Sequence, residues 1–266
     1  MDTMRDAVAV ITGAASGIGR AAAGSFARRG ARIVLADVDG TGAERAAAEI
    51  RADGGSAVAV TCDVARDGEF ERVRDAALAE FGDVHLVMNN AGVLTRGLPE
   101  HIPVAEWQRV FDVNLLSVVR SNAVFLPLLL ERGSGHLVNT ASFAGLFSYA
   151  YDRLPYAASK AALVQLSEGL ALYLRPQGIG VTVLCPGPVV TGIAGSIRSF
   201  GPPTATRGPG AEFEARQPGS VGELLADAVL ANRFMVHTDD RIEPHLRSRA
   251  ADWDAYLDTR IAALEA

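Results

Sequence analysis

Short runs of β-branched and aliphatic residues recur along the chain at Ala7 to Ile11, Arg32 to Ala36, Ala57 to Thr61, Val84 to Met88, His136 to Thr140, Gly180 to Leu184 and Phe234 to Thr238. Most are apolar at nearly every position instead of alternating. That is the pattern of strands covered on both faces, as in a parallel sheet. Between them lie alanine-rich stretches of helical length: Ile18 to Arg29, Gly42 to Ala52, Glu69 to Phe81, Val104 to Arg132, Tyr156 to Leu174 and Val221 to Ala231. Strand and helix alternate with short connections, which predicts right-handed crossovers and an α/β fold. The expected architecture is one domain, residues 1–266, built as a doubly wound parallel sheet with helices on both faces.

The rhythm fails between Thr191 and Ser220, where Gly, Pro, Thr and Arg predominate and apolar residues stand singly at Ile193, Ile197, Phe200 and Phe213. A segment of that length inside a compact domain reads as a lid over a functional site, with a disordered insertion as the other reading. The last stretch, Pro244 to Ala266, is charged and helical in period, a tail that caps either the lid or a neighbouring subunit.

Composition narrows the class. Of 266 residues, 49% are hydrophobic and 21% charged, enough to bury a full core. Twenty-five Lys and Arg against 31 Asp and Glu give a net charge of −6 with no basic stripe, which argues against nucleic acid as a partner. Asp2, Arg5 and Asp6 precede a short apolar run that breaks at Gly13, unlike a secretory signal. The most apolar segment, Ala123 to Leu130, contains a proline and falls short of a bilayer span. These features lead us to expect a cytoplasmic protein with no membrane partner. Cys62 and Cys185 form no C-x-x-C pair and read as buried thiols. His85, His101, His136, His237 and His245 do not cluster, so no metal is expected.

The first strand runs into Thr12-Gly13-Ala14-Ala15-Ser16-Gly17-Ile18-Gly19 and then into a helix. Unpaired amides and the positive end of a helix dipole attract a pyrophosphate at such a turn, and glycine lets the backbone approach it. Gly13, Gly17 and Gly19 follow G-x3-G-x-G, with Ser16 and Ile18 counted beside them as cofactor contacts; the Lys-Ser/Thr ending of a P-loop is missing. The second strand ends at Asp37, 18 residues past Gly19, where a carboxylate either accepts hydrogen bonds from the adenine ribose or caps the next helix. Val38 and Asp39 follow it and no cation waits for a 2′-phosphate, so NAD is favoured over NADP. Asp63, with Val64 beside it, ends the third strand and either meets the adenine amino group or caps the following segment. Asn89-Asn90-Ala91-Gly92 reads as a turn that walls the cofactor pocket. Pro186 and Gly187 open a stiff turn whose Gly187 and Val189 backbone and Thr191 hydroxyl would orient a nicotinamide carboxamide.

Tyr156 and Lys160 stand four apart on a predicted helix and so share a face. A free phenol ionises at about pH 10, and a neighbouring ammonium favours the phenolate, so this pair suits acid/base work. Taken in order, Thr12 to Gly19, Asp63, Asn89 to Gly92, Asn114, Ser142, Tyr156-Ala157-Ala158-Ser159-Lys160 and Pro186-Gly187 resemble the short-chain dehydrogenase/reductase family over about residues 7 to 191. The resemblance implies a Rossmann-type sheet of about seven strands, a nicotinamide cofactor, and interconversion of a secondary alcohol and a ketone. It gives Tyr156 the proton transfer, has Lys160 lower the tyrosine pKa and hold the nicotinamide ribose, has Ser142 bind the substrate oxygen, and has Asn114 position a relay water. It also implies a small-molecule substrate and a homo-oligomer, dimer or tetramer, packed through the helices at Val104 to Arg132 and Tyr156 to Leu174. Ser142 and Tyr156 are 14 residues apart, one more than the family pattern; Tyr149 and Tyr151 lie between them but lack a lysine four residues on.

Two other readings fit the sequence less well. A non-catalytic NAD(H)-binding regulatory protein has no need of Ser142, Tyr156 and Lys160 together. A serine hydrolase requires G-x-S-x-G, and Ser16 lacks a glycine two positions before it. Phe143, Leu146, Phe147, Tyr149, Tyr151 and Leu154 either line a pocket for a bulky apolar alcohol, terpenoid, steroid-like or polyketide-derived, or pack the core.

Overall fold

The computed structural model describes residues 3–204 and 208–265. Its first half runs β1 (Val8–Thr12), α1 (Gly17–Arg28), β2 (Arg32–Asp37), α2 (Gly40–Ala52), β3 (Ser56–Thr61), α3 (Glu69–Phe81), β4 (Leu86–Asn89), a short β5 (Thr95–Gly97), α4 (Val104–Phe111) and α5 (Ser117–Arg132). The second half runs β6 (Gly135–Thr140), α6 (Leu154–Leu174), β7 (Ile179–Cys185), a short β8 (Arg198–Phe200), α7 (Pro218–Leu230), β9 (Met235–His237), α8 (Glu243–Ala251) and α9 (Trp253–Glu265). Among the described residues seven strands form one parallel sheet in the order β3-β2-β1-β4-β6-β7-β9. The chain reverses direction of growth between β1 and β4, the switch point at whose carboxyl edge a crevice opens.

Both faces of the sheet are covered, which is why its strands read as unbroken apolar runs. Ala9 and Ile11 of β1 pack with Phe26, Val221 and Leu225 on the α1/α7 side, while Val8 and Val10 pack with Phe70, Phe125 and Leu129 on the α3/α5 side. Phe70 and Phe125 meet edge to face at 6.3 Å, knitting α3 to α5. A third apolar cluster lies beyond the carboxyl edge and joins Phe143 and Phe147 to Phe213, Ile242 and Tyr256.

Three features depart from the sequence expectation. The stretch Val104 to Arg132 is one helical run interrupted by a π turn at Asp112–Leu116. Its 29 residues are long and apolar enough, by length and composition, to cross a membrane, which corrects the expectation that no segment is. Pro127 lies inside α5, and a proline bends a helix without ending its apolar run. Second, the 191–220 segment carries structure of its own. β8 pairs with β5 in a separate parallel ladder, and Val189 bridges Arg216; positions 205–207 of the segment lie outside the described residues. Third, the tail is two helices broken at Asp252, and it packs on its own chain: the Tyr256 hydroxyl donates to Ser148 O at 3.2 Å and Arg260 to Pro209 O at 2.8 Å.

At the opposite edge of the sheet His136 faces Gly180 across the β6/β7 pair. Its Nε2 meets Thr182 Oγ1 at 2.8 Å, and burial pushes its pKa down to about 3, so the ring is neutral and fixed. A Cβ on Gly180 would collide with that ring and fall 2.6 Å from Asn232 Oδ1. Gly180→Ala is therefore expected to destabilise the fold by about 1–3 kcal/mol; an unchanged urea midpoint would contradict this packing.

Candidate active site

The carboxyl edge of β1 bends into the helix through two glycines in left-handed conformations, Gly13 at φ 64° and Gly17 at φ 56°. A side chain at Gly13 would meet the Ala91 backbone at 2.9 Å, and one at Gly19 would strike the Gly13 carbonyl and sit 2.6 Å from Asn90 Nδ2. The turn closes only because these positions lack Cβ atoms. Helix α1 starts with no acidic residue in its first turn, and Ser16 at its N-cap makes no side-chain capping bond. An uncapped helix N-terminus of this kind suits an anion. Ile18 packs its side chain inward on the core.

Asp37 ends β2 beside this turn. Its carboxylate accepts from Ala15 N and from Asp39 N, both at 2.9 Å, so it is held rigidly at the sheet edge. Asp39, two residues on, is the residue that caps α2, accepting from Gly42 N at 2.9 Å. Asp63 accepts from Ala65 N at 3.1 Å and pairs with Arg66 at 3.2 Å, while the Val64 side chain is buried in the core and leaves its backbone to face the crevice edge. These uncapped amides and the fixed Asp37 carboxylate stand together at the carboxyl edge of the sheet.

Asn90 serves as a brace. Its Nδ2 donates to Thr12 O and Gly13 O at 3.1 Å each, its Oδ1 accepts from Thr140 Oγ1 at 3.2 Å, and its N–H, like that of Ala91, donates to Thr12 Oγ1. The expected wall of the pocket is thus also the bond between the glycine turn and β6. Gly92 sits between Asn114 Oδ1 and Lys160 Nζ, each 3.4 Å from where a Cβ would stand. After β7, Gly187 N donates to Thr238 Oγ1 at 2.9 Å, and a Cβ there would collide with the Phe143 ring at 2.7 Å. Pro186 O accepts from Phe143 N at 2.9 Å, and Thr191 lies 3.2 Å from the Gly17 Cβ position, so the turn from Pro186 past Val189 reaches back to the glycine turn.

The catalytic candidates converge at the centre of the same edge. Ser142, just past β6, caps a short turn by accepting from Ala144 N at 3.2 Å, and its hydroxyl hydrogen-bonds the Tyr156 phenol. The one-residue-longer spacing is absorbed in the loop between them. Lys160 Nζ donates to Thr140 O at 2.7 Å and lies 5.7 Å from the centre of the Tyr156 ring. Burial pushes the phenol up to about 12, against the Ser142 bond that favours its ionised form, and pushes the lysine down to about 8. The protein interior alone thus disfavours charge on either group. Asn114 stands in the π turn, and such turns gather at functional sites. Its side chain clamps Val93, accepting from Val93 N at 2.8 Å and donating to Val93 O at 3.0 Å, and it also donates to Ser159 Oγ.

Two expectations shift. Phe143, Leu146 and Phe147 belong to the third apolar cluster and so pack the core, while Tyr151 is exposed. A shallow cleft beside the start of α6 is lined by Ala144, Phe147, Tyr149, Arg153 and Ala157. Thr12 and Ser159 stand inside the sequence motifs without a role of their own, and Thr140 lies outside them; the structure shows their polar atoms holding Asn90, Asn114 and Lys160 respectively.

With this geometry, comparison with known proteins becomes specific. Residues 7–201 match the model of the family described as short chain dehydrogenase. The chain belongs to the short-chain dehydrogenase family. It is 39% identical over 247 residues to the 1-deoxy-11-beta-hydroxypentalenate dehydrogenase of Streptomyces exfoliatus, covering 92% of this chain and 87% of that protein. It is 36% identical over 185 residues to the cyclohexanol dehydrogenase of Acinetobacter sp. (strain SE19), covering 70% of this chain and 73% of the relative. A short-chain dehydrogenase/reductase from Burkholderia phymatum, solved in complex with NAD, superposes with a TM-score of 0.86 at 36% identity over 96% of both chains. The protein is an oxidoreductase of this family, whose members bind NAD(P).

Because the short-chain dehydrogenase turn closes on itself through Gly19, Gly19→Ala is expected to weaken NADH binding more than tenfold, as about 1.4 kcal/mol per decade of affinity. Quenching of protein fluorescence by NADH would measure it; affinity within twofold of wild type would contradict the role of the turn.

Proposed function

We propose that the protein is an NAD-dependent dehydrogenase interconverting a secondary alcohol and a ketone on a bulky, largely apolar ring substrate. The observation that carries this reading is the Tyr156 phenol hydrogen-bonded to Ser142 with the Lys160 ammonium beside its ring, at the sheet edge that also bears the glycine turn. When bound, the nicotinamide dinucleotide supplies the hydride acceptor or donor and a positive charge beside the phenol. Tyr156 takes the alcohol proton at its phenolic oxygen. Ser142 hydrogen-bonds the same substrate oxygen, and its bond to the phenol keeps the two groups on one atom. Lys160 Nζ, steadied by Thr140 O, stabilises the phenolate and reaches toward the ribose that Gly92 leaves room for. Asn114 fixes the Val93 backbone in the loop that also carries Gly92, and there it would position a relay water.

Asp37 supports NAD over NADP: its carboxylate is pinned at the end of β2 beside the glycine turn, and a negative charge there would repel a 2′-phosphate. The names of the relatives support the substrate class, since one acts on a hydroxypentalenate and another on cyclohexanol. An oligomer is supported by apolar residues left exposed on α4–α5 and at the end of α6, among them Val104, Leu116, Val119, Leu172 and Tyr173. A second copy of the chain packed against these helices would cover them as a dimer or tetramer.

Tyr156→Phe is expected to lower NADH production from cyclohexanol by about a hundred- to ten-thousandfold while NADH binding stays within a few-fold; retained turnover would overturn the assignment. Oxidation consumes a proton-accepting phenolate, so its rate should rise with pH from about 7 to 9, while ketone reduction, which draws on the neutral phenol pushed up to about 12, should stay nearly level over that range. Lys160→Met removes the charge that offsets burial of the phenol, and it should push the rising limb of oxidation to higher pH. An oxidation profile that declines from neutral pH upward would rule out a buried phenol as the base.

A further inference from the structure

The helical run from Val104 to Arg132 is regular except at the π turn Asp112–Leu116, where Ser117 N–H bonds Asp112 O, five residues back. A turn widened in this way persists only where its surroundings hold it. On the inner side the holders are those of the site: Asn114 clamps Val93 and donates to Ser159. On the outer side a single long side chain stands over the turn. Arg120 Nη2 donates to Asp112 Oδ1 at 2.7 Å, and its Nε donates to Asp67 Oδ1 at 2.9 Å.

The Asp112–Arg120 contact depends on the widened turn. In a regular α-helix, residues eight apart are about 80° out of line around the axis. With one extra residue absorbed by the π turn, 112 and 120 are related as residues seven apart would be, about 20° out of line. They then share a face, and because helical side chains lean toward the amino terminus, the arginine reaches back across the turn that carries Asn114. The pair therefore forms with the π turn and opposes its return to regular helix. Arg120 takes up this contact at a cost: Nη1 is buried without a hydrogen-bond partner among the described residues. An arginine kept only for solubility would turn that nitrogen to water. Asp67 is 95% exposed, so the contact that counts is the one with Asp112.

We propose that Arg120 is a positioning residue for the reaction: by holding Asp112 it keeps the π turn that sets Asn114 against Val93 and Ser159. There Asn114 Oδ1 and Lys160 Nζ each stand 3.4 Å from the place of a Gly92 Cβ. The proposal rests on the dehydrogenase reading above, in which Asn114 positions a relay water, and adds to it a residue that none of the sequence motifs contains.

The test uses the full chain with NAD and cyclohexanol. Arg120→Gln is expected to lower kcat about three- to tenfold while the KM for cyclohexanol and the affinity for NADH stay within about twofold, since Asn114 acts on proton movement and not on binding. Arg120→Lys, which keeps a donor for Asp112, should recover part of the loss, and Asp67→Asn should stay within about twofold of wild type. In an Asn114→Ala background Arg120→Gln should cost no more than about twofold further, as expected of residues that act as one unit. Amide hydrogen exchange reads the same contact without turnover: residues 113–117 should exchange about tenfold faster in Arg120→Gln than in wild type. An undiminished kcat, a loss that repeats in full in Asn114→Ala, or unchanged exchange at 113–117 would each overturn the proposal; a merely structural arginine would depress turnover in both backgrounds alike. If Arg120→Gln does not fold, Asp112→Asn, which keeps the shape of that side chain and removes its charge, is measured under the same expectations. Failure of wild type to oxidise cyclohexanol would instead count against the dehydrogenase reading, and exchange at 113–117 would still decide the role of Arg120.

Discussion

Lys160 carries an ammonium into the interior and anchors it on a backbone carbonyl, Thr140 O, at the end of a central strand. Burial pulls that amine down to about 8 and drives the neighbouring phenol up to about 12. The two shifts have one cause and opposite signs, and neither charge is tolerated alone. Together they attract, so proton loss from Tyr156 is coupled to the charge on Lys160. Everything around the pair serves to hold it at the sheet edge where a third group can complete the balance.

That holding is done by a chain of buried polar contacts through the middle of the sheet. Thr12 fastens Asn90 and Ala91; Asn90 fastens the glycine turn and Thr140; Thr140 fastens Lys160. A parallel series runs one layer deeper, from Asn89 to Asn139 at 2.9 Å and from Asn139 to Ser167 at 3.0 Å, pinning β4, β6 and α6 together. Buried amides of this sort are costly unless satisfied, and satisfied ones fix a single arrangement. The nucleotide turn and the acid/base pair therefore share one rigid frame.

The outer wall is built differently. His245 stacks on Phe147 at 5.1 Å and meets Glu212 at 2.8 Å, and Tyr256 reaches Ser148 O, so α8, α9 and the 191–220 segment close over the loop that carries Ser142. The aromatic residues near the serine are consumed in this closure.

Period and spacing in the sequence were enough to give the seven strands, the six main helices, the glycine turn and the Tyr156/Lys160 pair, because each is encoded by residues close together in the chain. Asp37 was legible for the same reason: it ends a strand a fixed distance from the glycines. The β5–β8 ladder, the π turn at Asn114 and the folding of the tail onto its own chain were not, since three-residue strands and a one-residue widening of a helix leave no periodic trace. Only the tertiary structure decided which side of Phe143 and Phe147 faces the core. It alone brought Arg96, Asp152 and Thr204, successive members more than fifty residues apart in sequence, into one cluster. Local patterns fix what a segment becomes; charge balance at a cleft depends on segments that only packing brings together.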